Sequence, residues 1–339
     1  MRLLFPFIFA AVISQPAAGT PVPADVQIFL RSYTSLNGDV DTIVPVADMA
    51  NTLAYRQSIG AKSSSISSVN LLNSNNLPQT YASSRTEFGN AKADAYLFYK
   101  VEVHGDPLSW VPVSFTGVFK VLSSIDSEPT DGFAVSTATA SMGVTQHLES
   151  GAVSIGFTAS LRNLDIANSA RDTSQYDLLA AYSATEAVPF SNYIHGSSNF
   201  SEISGSWSLS GLDSSRDFHE ASIYNAYTTM SGQVDGIYWA HINSEGLGVL
   251  DVDMGSEVHL STFDGTPAGQ SFVDPAFFVE PTFLAQHAGT FIRVLGGVGN
   301  GSTQSTTVPE PSALSMTIGC LVLSVLGVQA AGNRRRSGA

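Results

Sequence analysis

Apolar and polar residues alternate along most of the chain between residues 25 and 295. The clearest case is Val111–Val121, where Val113, Phe115, Gly117 and Phe119 share one face at a period of two. Because successive side chains of a strand point to opposite faces, this period predicts a strand with one buried side. Comparable segments with turn residues between them span 26–30, 91–103, 133–144, 152–161, 204–212, 237–241, 247–254 and 258–263.

Short strands recurring at intervals of about 8–15 residues are typical of antiparallel sandwiches and jelly rolls. We therefore predict an all-β fold, with an antiparallel β-sandwich or jelly-roll-like body over residues 20–295. Two smaller sandwiches are the alternative to one large domain. One segment departs from the pattern. In residues 175–187, Tyr176, Leu179 and Ser183 recur at three- and four-residue spacing, which favours a short helix ending before Pro189.

Charged residues are scarce and mostly acidic, which limits the possible partners. They make up 13% of the chain, about half the usual share, and the net charge is −14. Four of the 15 basic residues lie at the chain ends, and one of the 29 acidic residues, Glu310, lies near the C-terminus, so the body keeps 11 basic and 28 acidic residues. An acidic body repels phosphate backbones, so we expect no nucleic-acid partner. The single cysteine, Cys320, excludes an intramolecular disulfide and a cysteine-based zinc site.

The N-terminus has the pattern of a secretory signal peptide. Arg2 precedes an apolar run over residues 3–13, and small residues follow at 17–19. A positive start, a short apolar run and a small-residue cleavage site are the three parts of such a signal, and this run is too short to span a membrane. We predict that residues 1–19 are removed, with a buried strand or a short anchor helix as the alternative.

The C-terminus combines a linker, a short motif, an apolar stretch and a basic cluster. Residues 296–307 are rich in Gly, Ser and Thr, which predicts a flexible linker. Residues 312–331 carry no charge, and a helix of that length spans about 30 Å, the thickness of a bilayer's hydrocarbon core. We predict a transmembrane helix there, and the arginines after it place the body outside the cytoplasm. The motif is Val308, Pro309, Glu310 and Pro311, and the cytoplasmic anchor is Arg334, Arg335 and Arg336.

The order of these parts over residues 308–339 resembles the PEP-CTERM sorting signal, because Val308-Pro309-Glu310-Pro311 stands directly before a terminal helix and an arginine cluster. The resemblance implies recognition by an exosortase, a membrane-embedded cysteine transpeptidase-like enzyme of bacteria that export polysaccharide. It also implies cleavage near the motif and delivery to the cell surface or extracellular matrix. The family assigns no catalytic residues to the body. A plain tail anchor after a proline-rich linker is the alternative.

Known catalytic motifs are missing from the sequence. The seven histidines lack metal-ligand spacing, and neither a zinc-protease motif nor a Gly-x-Ser-x-Gly elbow occurs. We therefore expect no enzyme, no catalytic residue and no cofactor. The one metal candidate is calcium at Asp251, Asp253 and Glu257, whose alternate spacing resembles part of a calcium loop. The competing interpretation is a strand with Asp251 and Asp253 on its wet face and Val252 and Met254 pointing inward.

Aromatic residues make up 10% of the chain and could stack on sugar rings where they are exposed. Core packing accounts for most of them. The candidates for exposure are Tyr224, Tyr227 and Tyr238, ahead of Trp110, Trp207 and Trp239. The first hypothesis is a non-enzymatic surface or matrix protein that organises extracellular polymer. The second is a carbohydrate-binding module for exopolysaccharide, and the third is a secreted hydrolase.

Overall fold

The structure is a computed structural model that describes residues 26–34, 53–59, 62–73, 75–125, 131–149, 151–167, 173–184, 192–200, 203–210, 215–223 and 227–300. The predicted signal peptide, residues 301–307 of the predicted linker and the sorting tail lie outside these ranges. The described strands, in chain order, are β1 (Val26–Thr34), β2 (Leu53–Ile59), β3 (Ser63–Asn70), β4 (Gln79–Thr86), β5 (Gly89–His104), β6 (Trp110–Ile125), β7 (Phe133–Leu148), β8 (Gly151–Ile166), β9 (Thr173–Ala184), β10 (Tyr193–Phe200), β11 (Ile203–Ser210), β12 (Ser215–Ile223), β13 (Tyr227–His241), β14 (Leu247–Thr262), β15 (Pro267–Val279) and β16 (Phe291–Val294), and a short helix α1 (Pro281–Leu284) precedes β16.

The strands form two antiparallel sheets that pack face to face, which confirms the predicted all-β sandwich. The first sheet has the order β1-β5-β14-β7-β8-β9-β12, and β16 pairs with β5 beyond the end of β1. The second sheet has the order β11-β10-β13-β6-β15-β4-β3-β2. A cluster of buried apolar side chains lies between the sheets, and one compact unit includes all the described residues.

The period of two predicted the buried faces correctly. In β6, Val113, Phe115 and Phe119 are at most 1% exposed, whereas Val118 between them is 45% exposed. In β5, the small and apolar residues at 91, 93, 95, 97 and 99 are buried. Residues on the other face of β5, such as Tyr96, Phe98 and Lys100, therefore point outward.

The predicted helix over residues 175–187 is wrong, because Thr173–Ala184 forms strand β9. This strand pairs with β8 along one side and with β12 along the other. Ladders on both sides satisfy the backbone of β9 as fully as a helix would, and a tertiary sheet overrides a weak helical spacing. The spacing was weak because Ala180 and Ser183 carry little apolar surface.

The predicted break between residues 254 and 258 is also wrong. Strand β14 runs without interruption from Leu247 to Thr262, and it pairs with β5 along this length and with β7 from Asp251 to Thr262. Gly255 lies within the strand, opposite Tyr96 and Ser141. A glycine in a strand marks close packing as often as a turn, and here the neighbouring Tyr96 ring occupies the space above it.

The two ends of the core differ in chemistry. At one end the buried residues are branched or aromatic, for instance Val103, Val111 and Leu250. At the other end buried serines and threonines are interspersed with alanines and branched residues, and hydroxyl groups join the sheets. Ser271 Oγ donates to the Thr139 carbonyl at 2.5 Å. Two further hydroxyl links are Ser136 Oγ to the Ala268 carbonyl (2.7 Å) and Ser123 Oγ to the Ser136 carbonyl (3.0 Å). The side-chain amide of Asn163 adds a link from Nδ2 to the Ser123 carbonyl (2.8 Å).

The first residues of the predicted linker pack against the sandwich. Val298 is 6% exposed and belongs to the core, and the Gly299 N–H donates to the Leu71 carbonyl at 2.7 Å. The Asn300 side chain accepts from the Phe277 N–H at 2.7 Å and donates to the Phe277 carbonyl at 2.6 Å. The packed body therefore extends at least to Asn300.

Helices contribute little to the described part of the chain. Helix α1 is 4 residues long and lies between β15 and β16. None of the helices in the described ranges has the length and apolar character needed to cross a membrane. The predicted transmembrane segment over residues 312–331 lies outside those ranges.

Candidate functional site

A groove of about 480 Å³ lies on the outer face of the first sheet. Three adjacent central strands, β5, β14 and β7, form its floor, and Gln27 of β1 contributes from the side. Strand alternation sends every second side chain of these strands outward, because the intervening residues are held in the core. The outward side chains that line the groove are Phe98, Lys100, Thr145, His147, Asp251 and Asp253.

The strand register arranges these side chains in two rows across the sheet. In one row, Asp253 lies opposite Phe98 on β5 and Gly143 on β7. In the next row, Asp251 lies opposite Lys100 on β5 and Thr145 on β7. Directly opposite residues on one face are close enough to interact. The groove thus places an aromatic ring, two carboxylates and an ammonium group within two neighbouring rows.

Asp251 is the paired carboxylate of the groove. Its Oδ1 lies 3.8 Å from Lys100 Nζ, and its Oδ2 lies 3.7 Å from His147 Nε2. All three side chains are substantially exposed, so solvent screens these pairs and each contributes little to stability. The two pairs bring three hydrogen-bonding side chains together in the groove.

Asp253 occupies a different environment, although it belongs to the same strand face. A Cβ atom placed on Gly143 would lie 2.5 Å from Asp253 Oδ1, so the carboxyl group rests in space that only glycine leaves open. Partial burial of this carboxyl group raises the pKa of Asp253, and a hydrogen bond from its own backbone N–H lowers it in part.

Aromatic rings continue from the groove towards the edge of the sheet. Phe98 is 42% exposed, and its ring lies 6.4 Å from that of Tyr96 with the planes 16° apart. The Tyr96 ring in turn lies 5.8 Å from that of Phe29 on β1. Burial and a hydrogen bond to Glu257 raise the pKa of Tyr96, so its hydroxyl stays protonated. Phe29, Tyr96 and Phe98 form an aromatic row on the outside of the sandwich.

A second group of ionisable residues surrounds Asp94 on the same face. Asp94 is buried, and its carboxyl oxygens lie 3.1 Å from Lys92 Nζ, 3.0 Å from His259 Nε2 and 3.9 Å from Arg31 Nη1. Ligand atoms of Asp94, Glu257 and His259 lie within 4.8 Å of one another, which is a spacing that a metal ion could bridge. Lys92 and Arg31 already supply positive charge to Asp94, so the geometry fits an ion-pair network.

The structure does not bring the three calcium candidates into one group. Asp251 pairs with Lys100 and His147, Asp253 rests against Gly143, and Glu257 joins Asp94 and His259. Asp251 and Asp253 lie on the wet face of β14, with Val252 and Met254 buried, which confirms the interpretation of this segment as a strand. Calcium binding itself stays a prediction.

A further cavity of about 570 Å³ lies at the branched, apolar end of the sandwich. Trp110 and His241 lie in its wall with ring centroids 5.0 Å apart, and His147 lines both this cavity and the groove. The two cavities are therefore adjacent.

The aromatic residues selected from the sequence are not those of the groove. Tyr238 is fully buried and its hydroxyl donates to the Val153 carbonyl at 3.1 Å, so its predicted exposure is wrong. Tyr224 and the side chains of Tyr227 and Trp207 lie outside the described part. Sequence reasoning missed Tyr96 and Phe98, although burial of the alternate residues Ala95, Leu97 and Tyr99 implies that both point outward.

Comparisons with known proteins add no relative. No family model, no curated protein and no solved structure matches this chain.

Proposed function

We propose that this chain is an exported surface or matrix protein that binds extracellular polysaccharide through the groove and the adjoining aromatic row. The observation that carries the proposal is the half-exposed Phe98 ring beside Lys100, His147 and Asp251. Aromatic faces stack on the C–H faces of sugar rings, and charged or polar side chains next to them bind sugar hydroxyls. The groove therefore has both kinds of contact that a polysaccharide requires.

The position of the groove also supports binding to a polymer. It lies on the central strands of a sheet and continues into the aromatic row, so a chain of several sugars could lie along it. Rigid strands hold the side chains, and the branched residues of the core support them from below. We propose that the protein acts by binding rather than by catalysis.

The two chain ends carry the proposed export and sorting signals. A signal peptide at residues 1–19 directs export, and a helix over residues 312–331 then holds the chain in the membrane with the body outside the cytoplasm. The motif at Val308–Pro311 marks the chain for an exosortase-like enzyme, as its resemblance to the PEP-CTERM signal implies. Processing releases the body to the cell surface or matrix, where the polysaccharide is found.

If the tail is cleaved near the motif, the mature protein should have a defined C-terminus. Mass spectrometry of the protein isolated from cells that export polysaccharide should find a C-terminal peptide that ends near Pro309–Pro311, without residues 312–339. A chain with Glu310 replaced by alanine should keep its tail, because the processing enzyme no longer recognises the motif. Recovery of the wild-type protein with residues 312–339 still attached would leave a simple membrane anchor instead.

Replacement of Phe98 by alanine should weaken polysaccharide binding about three- to tenfold, because a stacking ring is lost from the groove. Binding of the mature protein to a glycan array identifies the ligand, and calorimetry measures the affinity of each variant. Phe133→Ala is the matched control, because Phe133 is 41% exposed against 42% for Phe98 and belongs to the same sheet but not to the groove. Equal loss in both variants, or no glycan bound by the wild type, counts against the proposal.

One observation favours a hydrolase as a second candidate function. Asp251 and Asp253 line the same groove, and burial raises the pKa of Asp253. Glycoside hydrolysis uses two carboxyl groups of unlike pKa, one as acid and one as base or nucleophile. The incubations with bound polysaccharide should therefore also be assayed for new reducing ends, and their appearance with the wild type alone, not with Asp253→Asn, would assign this activity.

A further inference from the structure

The groove carries one negative charge that no described basic residue balances. Asp251 is paired with Lys100 and His147, but no lysine, arginine or histidine of the described residues forms an ion pair with Asp253. Lys100 compensates only one of the two carboxylates. The uncompensated charge lies in the same row as Phe98.

The residue Asp253 is exposed, but one side of its carboxyl group packs against the sheet. Gly143 leaves the space against which its oxygens rest, and Phe98 lies across the ladder on the other side. The raised pKa of Asp253 has burial as its first cause, and nearby positive charge does not offset it. A cation placed next to this carboxylate would restore the balance, because an opposite charge favours the ionised form.

The charge of the whole chain points in the same direction. The net charge of −14 disfavours a polymer rich in carboxylate, sulfate or phosphate and favours one that is neutral or cationic. An ammonium group beside an aromatic ring also interacts with the ring face. Among sugars, only those with a free amino group carry such a cation near neutral pH.

We propose that the groove binds a polysaccharide with protonated amino groups, of the deacetylated glucosamine type, in which one ammonium group pairs with Asp253 while its sugar ring stacks on Phe98. This inference rests on the proposed function and specifies its ligand class. Lys100, His147 and Asp251 then contact the hydroxyls of neighbouring sugars. The pair between Asp253 and the ammonium group supplies selectivity, and stacking supplies affinity that other glucans share.

The experiment compares three β-1,4-linked oligomers of equal length that carry an amino, an N-acetylamino or a hydroxyl group at the second carbon. Calorimetry on the mature protein near pH 6 should give about three- to tenfold tighter binding of the amino oligomer, because the ion pair is partly desolvated. Asp253→Asn should remove this preference and leave the affinity for the hydroxyl oligomer unchanged. Asp235→Asn is the matched control, because it removes one charge from the outer face of the second sheet and should keep the preference.

The outcomes separate this inference from the proposed function. Equal binding of the three oligomers by the wild type overturns the amino-sugar ligand but leaves polysaccharide binding in place. If the preference for the amino oligomer persists in Asp253→Asn, Asp253 does not supply the selectivity. The same conclusion follows if oligolysine at equal charge concentration abolishes this preference. The preference should also fall on acidification through the raised pKa of Asp253, because protonation removes the charge that pairs with the ammonium group. Thermal unfolding of each variant verifies that the fold is retained.

Discussion

Replacing Phe119 by alanine is expected to lower the free energy of unfolding by about 3–5 kcal/mol. The Phe119 side chain of β6 is 0% exposed, and its ring lies 5.4 Å from that of Phe157 on β8, at 46° between the planes. These two rings belong to opposite sheets and lie near the middle of the core. Truncation would leave a cavity there, since the surrounding strands are fixed by their ladders and relax only in part.

Urea unfolding of the wild type, of Phe119→Ala and of Val118→Ala measures this effect. Val118 is the adjacent residue of the same strand but is 45% exposed, so its truncation should change the stability by no more than about 0.5 kcal/mol. Ser271→Ala, at the hydroxyl-rich end of the core, should cost about 1 kcal/mol, because one hydrogen bond to the opposite sheet is lost. Similar losses in Phe119→Ala and Val118→Ala would mean that the two sheets do not share a packed core.

The strands and their buried faces could be predicted because the period of two is local. Each strand displays the pattern within a few residues, as Val113 to Phe119 do in β6. Errors arose where neighbours decide the outcome. Strand β9 is held by β8 and β12, and Gly255 continues β14 because β5 and β7 pair with it on both sides. The sequence spacing contains no record of these partners.

The candidate site was predictable only in part, for the same reason. Asp251 and Asp253 stood out through their alternate spacing, and their outward direction followed from the strand pattern. Their neighbours did not, because Phe98 and Lys100 come from β5 and Gly143 comes from β7, strands that are far away in the chain. Cross-strand register determines that Lys100 compensates Asp251 and that Gly143 makes space for Asp253. The site is a property of the sheet and not of any one segment.

Replacing Gln146 by alanine is expected to lower the free energy of unfolding by about 2–4 kcal/mol. Gln146 of β7 is 3% exposed, and its side chain connects the first sheet to the backbone of His241 in the second. The His241 N–H donates to Gln146 Oε1 at 2.8 Å, and Gln146 Nε2 donates to the His241 carbonyl at 2.7 Å. Truncation would remove both bonds and leave two backbone groups without these partners at a largely buried position.

The approach of the sheets at this point depends on Gly248 of β14, because a Cβ there would lie 2.6 Å from the His241 carbonyl oxygen and 3.2 Å from Gln146 Nε2. Gly248→Ala should therefore destabilise the same contact without deleting it. Gln270→Ala is the matched control, because Gln270 is exposed and its loss should cost no more than about 0.5 kcal/mol. Chemical denaturation measures all three, and a loss under about 1 kcal/mol for Gln146→Ala would show that the two bonds are readily replaced by water.

The Gln146 contact also links the fold to the groove. The same alternation that turns Gln146 inward turns Thr145 and His147 outward into the groove, and His241 lines the adjacent cavity. Gln146→Ala should thus weaken polysaccharide binding at temperatures where the protein is still folded, because the outward residues lose their support. If stability falls while the affinity for the polysaccharide stays at the wild-type value, strand β7 positions Thr145 and His147 without Gln146.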